Sequence, residues 1–475
     1  MLNKNKYNSY FKILFLLLVC IFSLTACKSK TQEVSNQTVN LPQVSYKYDQ
    51  DQVVDFKNRL ITEDTARYEG LILSGKPFLV KPDTLPSSLF YDSGIHIDYP
   101  EDGVRGLYIS GELIGDPNYV NYIINYIDNT DLNTVVVDFK DDYGQIIPAN
   151  DSTDPLVQAS TISSVDYKSI LKQFEAHKIY PIARITSFKD NMLAENHPEL
   201  SFVDPNTNAV WQDANGASFI NPFMPEVQNY VINVAKEAAK MGFKDIQFDY
   251  VRFPEGFFEI ADTLQYELGD YASFVSDDPD KSGSERTRAI NNFLNLASES
   301  LAPYGVNISA DVFGYTTVAG DTYDVRGIGQ NIGQIAENVD VVSAMIYPSH
   351  WGNGFFGLDY PDLYPYEVVD NYMYSEKMVF QNVQNKVTSR PWLQDFTDYS
   401  KPEGSFQVYG SEQVQAQINA LAMNDIREYL LWNASGEYST GVDYKVEKNE
   451  FGEVHVDQVP ILDAYDETVT YSDNN

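Results

Sequence analysis

The chain has 475 residues, enough for one large domain, and is strongly acidic: 68 Asp and Glu face 33 Lys and Arg, for a formal net charge of −35. Such a surface repels nucleic acid and other polyanions at long range, which excludes DNA and RNA as partners. Cys20 and Cys27 are its two cysteines, too few for a disulfide framework, so stability has to come from a large buried core.

The N-terminus carries Lys4, Lys6 and Lys12, then an apolar run from Ile13 to Phe22. That run is shorter than the roughly 20 residues a spanning helix needs and fits the core of a signal peptide. Leu24-Thr25-Ala26-Cys27 follows and resembles a bacterial lipobox. The order and spacing predict that residues 1–26 are a lipoprotein signal peptide, with lipid added to Cys27. The chain is then expected on the extracytoplasmic face of the cell membrane, held by its lipid alone. An uncleaved membrane anchor with a chance cysteine is the alternative. Residues 27–50 are polar and read as a flexible tether. Residues 51–102 mix apolar and turn residues and read as an N-terminal extension containing short strands.

From residue 103 a new pattern begins. Segments rich in strand formers recur at Arg105–Ser110, Thr134–Asp141, Tyr180–Phe188, Asp245–Phe253, Asn307–Gly314, Asp340–Pro348, Arg390–Phe396 and Glu428–Ala434. Helical patterns lie between them at Asn118–Asn129, Val165–His177, Pro225–Met241, Ser284–Leu301 and Ser411–Asn424. Eight alternating units predict an α/β fold, a closed (β/α)8 TIM-type barrel over residues 103–440. An open doubly wound sheet competes, but Gly111-Glu112-Leu113-Ile114-Gly115-Asp116 after the first strand lacks a phosphate-binding glycine pattern. Residues 441–475 read as a C-terminal extension and tail.

Active sites of such barrels lie at the C-terminal ends of the strands. Alternation puts Gln247, Asp249 and Val251 on one side of the fourth strand, and Ser309, Asp311 and Phe313 on one side of the fifth. An ionised carboxylate against apolar helices is very costly, so both aspartates are expected at the barrel mouth. A carboxylate pair there suits glycoside hydrolysis: one group protonates the leaving oxygen while the other attacks the anomeric carbon or activates water. With 68 acidic residues some fall at strand ends by chance, where an Asp also caps helices. All four tryptophans, Trp211, Trp351, Trp392 and Trp432, fall on the predicted mouth side, joined by Tyr347 and Tyr250. Flat rings beside carboxylates suit sugars, although core packing also accounts for Trp392 or Trp432. Trp351, in Ser-His-Trp-Gly-Asn-Gly, reads as a loop platform. The five histidines are scattered without ligand spacing, so no metal or other cofactor is expected. Asp138, Asp141 and Asp142 could hold a hard cation but lack EF-hand spacing. No Gly-x-Ser-x-Gly elbow occurs, which weighs against a serine nucleophile.

Several stretches together resemble a bacterial glycoside hydrolase family first catalogued as a domain of unknown function and distantly similar to α-amylase-type barrels. They are Arg105 to Tyr108, VVVDFKDDYG from Val135, YPIARITSF from Tyr180, Asn221-Pro222, FDYVRFP from Phe248, ISADVFG from Ile308 and MIYPSHW from Met345. The resemblance implies a carbohydrate-active enzyme. In amylase-type barrels the nucleophile is an Asp ending strand four, the acid/base a Glu ending strand five, and a further Asp ends strand seven. Asp249 matches the first position and Asp395 stands on the strand of the third. Strand five offers Asp311 instead of Glu, and Gln247 stands where the amylase pattern has Arg. The expected assignment is therefore Asp249 as nucleophile, Asp311 as general acid/base and Asp395 as a supporting carboxylate. Asp138, Lys140, Arg184 and Arg252 would bind substrate oxygens or tune the carboxylates, with Tyr347, Trp351 and Trp432 forming the sugar-binding surface. A carbohydrate polymer or oligosaccharide is the expected partner, and a monomer is expected. A barrel that binds polysaccharide without cutting it is the alternative from another class, and an acyl or deacetylase-type surface enzyme a third.

Overall fold

The computed structural model describes residues 89–449, 452–457 and 459–465, together with the backbone of Thr38–Val39. The expected signal peptide, Cys27 and all but those two residues of the tether lie outside the described residues, as does most of the N-terminal extension. Thr38–Val39 pairs antiparallel with Val459–Pro460.

Eight parallel strands form the core: β1 Arg105–Ile109, β2 Thr134–Lys140, β3 Tyr180–Thr186, β4 Asp245–Asp249, β5 Asn307–Phe313, β6 Val341–Met345, β7 Trp392–Gln394 and β8 Tyr429–Trp432. Each pairs with the next, and β8 returns to β1 through Tyr429↔Arg105. The sheet is closed, a (β/α)8 barrel as the alternating pattern predicts. All eight expected segments contain a strand; the strands stop earlier because the polar residues that follow them turn into the mouth loops.

The surrounding helices start where the sequence supplies caps. Helix α1, Pro117–Asp128, has Pro in its first turn, and the Asp116 side chain accepts from Asn118 N. Helix α2, Tyr167–Ala176, is capped by Asp166 on Ser169 N. Helix α3, Pro225–Met241, ends at Gly242, whose φ of 121° and contact with Ile95 leave no room for a Cβ. Helix α4 is Ser284–Leu301, α5 Pro365–Phe380 and α6 Ser411–Met423. Three short helices, Gly314–Ala319, Tyr323–Ile328 and Ile332–Ala336, carry the chain from β5 to β6. Helix α5 and a small excursion after β2, in which Ile146–Pro148 pairs antiparallel with β2 and parallel with Thr161–Val165, are additional to the expected elements. Among the described residues, no helix is long and apolar enough to cross a membrane.

The barrel interior is layered. At the N-terminal end Asp245 pairs with Arg390 at 2.8 Å, and Arg390 with Glu428 at 3.0 Å. The Tyr99 hydroxyl, from the segment leading into β1, receives a hydrogen bond from Arg390 and donates to Glu428, closing that end. Val136, Ile182 and Leu430 fill the middle, and the Gln247 amide donates to Ser343 Oγ at 3.2 Å. The top layer holds the acidic and aromatic groups of the mouth. The larger apolar core lies between barrel and helices.

Candidate active site

A cavity of about 450 Å³ opens at the C-terminal ends of the strands. At its base lies Arg184 of β3, only 1% exposed, whose guanidinium gathers three carboxylates. Nε donates to Asp249 Oδ2 at 2.9 Å, Nη1 to Asp138 Oδ1 at 2.7 Å and Nη2 to Asp142 Oδ1 at 2.7 Å. Nη2 also lies 2.7 Å from Asp249 Oδ2. Charge-assisted bonds of this kind are short and directional, so one planar cation fixes all three groups. Arg184 is the register partner of Gln247. The guanidinium absent from the position two before Asp249 is thus supplied by the neighbouring strand.

Local backbone features bring the acids in. The β2–β3 pairing shifts register between Asp138 and Lys140, a bulge that sends the two side chains to opposite faces. Asp138 points inward, where Tyr108 Oη donates to its Oδ2 at 2.6 Å. Burial pushes Asp138 up to about 6, against the pull of Arg184. Beyond the bulge Asp141 Oδ1 caps a tight turn, accepting the backbone N–H groups of Tyr143, Gly144 and Gln145. Asp142 then returns to the cavity, where Lys189 Nζ joins Arg184 on its carboxylate at 3.0 Å. Burial acts to raise Asp142, but the two cations outweigh it and hold it well below the usual carboxylate range. Asp138, Asp141 and Asp142 are therefore committed to guanidinium, ammonium and turn contacts. Among the described residues, no group of three or more His, Cys, Asp or Glu side chains is gathered to hold a metal ion.

Asp249 and Asp311 differ sharply in surroundings. Asp249 Oδ2 sits in the Arg184 fork, and its Oδ1 accepts Tyr250 N at 2.6 Å. Tyr250 adopts a left-handed φ of 47°, a strained conformation for a residue with a side chain. Its ring is pinned by Lys189 Nζ, 4.4 Å from the centroid, and by Arg252 at 5.0 Å. Asp311 is 1% exposed, and its bond from a protein donor is Trp392 Nε1 to Oδ1 at 3.0 Å. Burial, and then the negative charge of Asp249, raise Asp311 well above the usual range; Trp392 and Arg184 offset this only in part. Ala310 pairs with Phe248 in the β4–β5 register, so the two aspartates follow as neighbours on the same face.

Aromatic rings wall the cavity. Trp432 stacks on Tyr108 with centroids 4.2 Å apart and meets Trp392 edge-on at 5.5 Å. Arg184 lies 5.4 Å from the Trp432 centroid. Of the residues expected from sequence, Asp249, Asp311, Arg184, Arg252, Tyr347, Trp351 and Trp432 line the cavity, with Asp138 just beneath them. Trp351 is 5% exposed and packed between Phe355 and Phe356, so it forms wall rather than an exposed loop platform. Trp211 is not among the residues that line the cavity.

Two residues are placed elsewhere. Lys140, turned outward by the bulge, makes a buried ion pair with Asp190 at 2.9 Å and donates to Thr186 O. Asp395 is an odd number of residues beyond inward-facing Trp392, so alternation points it outward. There it accepts Ser439 N at 2.9 Å and Ser439 Oγ at 2.5 Å. Burial pushes its pKa up to about 7. Neither side chain reaches the mouth. Sequence reasoning in turn missed the parts of Asp142, Lys189 and Tyr108, and of Glu255, which lines the cavity and pairs with Arg252 at 3.2 Å; for Asp142, its place four residues past Asp138 on the same loop was the available signal.

Residues 106–438 match a family described as "Putative glycosyl hydrolase domain". A comparison with curated proteins finds no match. Among solved structures, the glycoside hydrolase domain of PgaB (BpsB) from Bordetella bronchiseptica is 13% identical, covering 70% of this chain and 95% of that one with a TM-score of 0.50. A hypothetical protein from Ruminiclostridium thermocellum is 31% identical over 43% of this chain and 97% of that one, with a TM-score of 0.36. The glycoside hydrolase domain of PelA from Pseudomonas aeruginosa is 9% identical over 70% and 95%, with a TM-score of 0.38. At such identity the PgaB likeness speaks to the barrel fold alone.

Proposed function

The chain belongs to the glycosyl hydrolase family that its residues 106–438 match, and on that premise we propose that it cleaves glycosidic bonds with Asp249 and Asp311 as the working pair. The observation that carries this is their opposed surroundings. Asp249 lies in the Arg184 fork, whereas Asp311 is buried beside that charge with Trp392 Nε1 as its donor. Neighbouring carboxyls whose environments drive them apart divide into a charged and a protonated member at neutral pH. Asp311 is the general acid that delivers a proton to the leaving oxygen, and Asp249 attacks the anomeric carbon or activates the water that does. Arg184 keeps Asp249 oriented. Asp142, half-exposed and fixed by two cations, accepts substrate hydroxyls, and Trp432 and Tyr347 cover the apolar face of the sugar.

The lipobox-like run ending at Cys27 extends the proposal to location. A lipidated Cys27 ahead of the Thr38–Val39 pairing would leave about ten residues of tether, which as a coil reach on the order of 15–20 Å from the membrane. That favours a glycan of the envelope, or one arriving there, as substrate. Labelled palmitate incorporated by cells expressing the full chain, and lost in Cys27→Ala, supports this; equal labelling of both excludes it.

The activity is tested by incubating the protein with a panel of envelope and extracellular polysaccharides and measuring reducing ends. Turnover of at least one, abolished in Asp249→Asn with unchanged thermal stability, is expected. Near-normal turnover in that variant refutes the assignment. A glycan that stabilises the protein thermally but is never cut favours the non-catalytic binding barrel.

A further inference from the structure

The mouth carries aromatic surface beyond the cavity. Residues 395–410, between β7 and α6, are held down by Asp362: Gln407 N donates to its Oδ2 at 3.1 Å, and Gln407 Nε2 and Tyr409 Oη donate to its backbone oxygen. On this fixed loop the Phe396 ring meets two cavity-lining rings, Tyr347 at 5.6 Å and His350 at 6.0 Å. Three residues on, at most about 10 Å along an extended chain, Tyr399 is 72% exposed. Phe406 supports it edge-on at 5.9 Å.

The other rim repeats the arrangement. Phe313 and Tyr315 line the cavity and lie 5.8 Å apart. Tyr315 is hydrogen-bonded to Asp324. The next residue back, Tyr323, is 43% exposed and is propped edge-on by Phe258 at 4.6 Å. The β7 loop and the β4 and β5 loops stand two to three strands apart around the mouth, and Asp249 and Asp311 are carried by β4 and β5. An exposed tyrosine alone is ordinary surface. Here two of them, each braced by a second ring and each one residue from a carboxylate beside a cavity-lining ring, stand on loops that rise from different strands.

Building on the glycosidase reading above, we propose that the substrate is an uncharged polysaccharide that crosses the mouth from Tyr399 to Tyr323, stacking a sugar on each, so that bonds inside the chain are cut. Asp398 and Asp324 adjoin the two platforms, with Lys401 beside Asp398 and Glu255 paired to Arg252, and the strongly acidic chain as a whole disfavours polyanions. A pocket for single terminal sugars needs neither platform.

The test uses the full chain and its Tyr399→Ala/Tyr323→Ala double variant on starch, laminarin and galactomannan, with hyaluronan as the polyanion. Binding is read by retardation in native gels containing each glycan, and turnover by product size. The expected result is retardation of wild type by a neutral polymer but not hyaluronan, with early products longer than disaccharides. In the double variant the polymer KM rises about tenfold, a loss of about 1.4 kcal/mol, against twofold or less on a nitrophenyl monosaccharide. Tyr399→Phe, which keeps the ring, combined with Tyr323→Phe restores polymer binding. Equal KM on polymer for wild type and double variant, monosaccharide as the first product, or no retardation by any neutral polymer overturns the proposal. Retardation that needs the two tyrosines, without turnover, supports the platforms and counts against the glycosidase reading.

Discussion

Replacing Arg184 by Met tests the electrostatic core of the site without any substrate. The guanidinium bonds Asp138, Asp142 and Asp249 at 2.7–2.9 Å. Asp138 and Asp249 are 4% and 6% exposed, so both lose their cation where water reaches poorly. Asp142 keeps Lys189, and its side chain is 47% exposed, so it contributes little. Breaking a buried ion pair from one side costs about 3–5 kcal/mol. Without the cation the folded-state Asp138 carboxyl, already raised by burial, binds its proton more tightly than in the unfolded chain. Stability is then lost as pH rises through its folded pKa, and that part of the deficit nearly closes when it is protonated. Asp138 stands at about 6 even with Arg184 present, so the deficit should be nearly complete by pH 8 and smaller at pH 4.5. Urea unfolding at the two pH values measures it. A deficit below about 1 kcal/mol, or one equal at both pH values, would refute the reasoning, since the guanidinium would not then be compensating buried charge.

Other outcomes follow from individual contacts. Trp392→Phe removes the N–H that stabilises ionised Asp311, so the basic limb of the kcat/KM pH profile should move up by about one unit; an unmoved limb would show that Asp311 is not the titrating acid. Asp395→Asn should leave kcat/KM within about twofold, because Asp395 is bound to Ser439 outside the barrel. Its folded pKa is pushed up to about 7, so wild-type stability falls as pH rises from near 4 through 7. The variant lacks that fall and should gain about 1–3 kcal/mol on wild type at pH 8 relative to pH 4.5; a large activity loss would return Asp395 to the site. Lys140→Met strands Asp190 and should cost about 3–5 kcal/mol in denaturant unfolding, whereas weakened glycan binding at full stability would contradict the outward placement.

Much of the barrel is legible in the sequence because its strands, buried on both faces, read as short β-rich runs such as Thr134-Val135-Val136-Val137 that end in polar residues. Helix α5 is not, because Glu367, Asn371, Ser375 and Glu376 are buried in it and erase the apolar stripe. Burial pushes Glu376 up to about 7, so a residue that reads as exposed sits inside. Within the site, alternation locates Asp249 and Asp311, but parity fails wherever the ladder does. The bulge after Asp138 reverses Lys140, and counting from the true inward residue of β7, Trp392, reverses Asp395. The clustering of Asp138, Asp142 and Asp249 on one arginine is a three-dimensional fact, of which sequence spacing signals only the nearness of Asp138 and Asp142. Trp351 looks like a loop residue because glycines follow it, yet Phe355 and Phe356 fold back around it.

The central claim is a division of labour, with Asp311 as proton donor and Asp249 as the charged partner. It is tested most directly by comparing leaving groups in Asp311→Asn and Asp249→Asn. A dinitrophenolate departs without a proton, whereas an alcohol or sugar needs one. Asp311→Asn should therefore lose about 10²–10⁴-fold in kcat/KM on the natural glycan but far less on the dinitrophenyl glycoside, while Asp249→Asn loses both. Equal losses on the two substrates in Asp311→Asn would contradict the account.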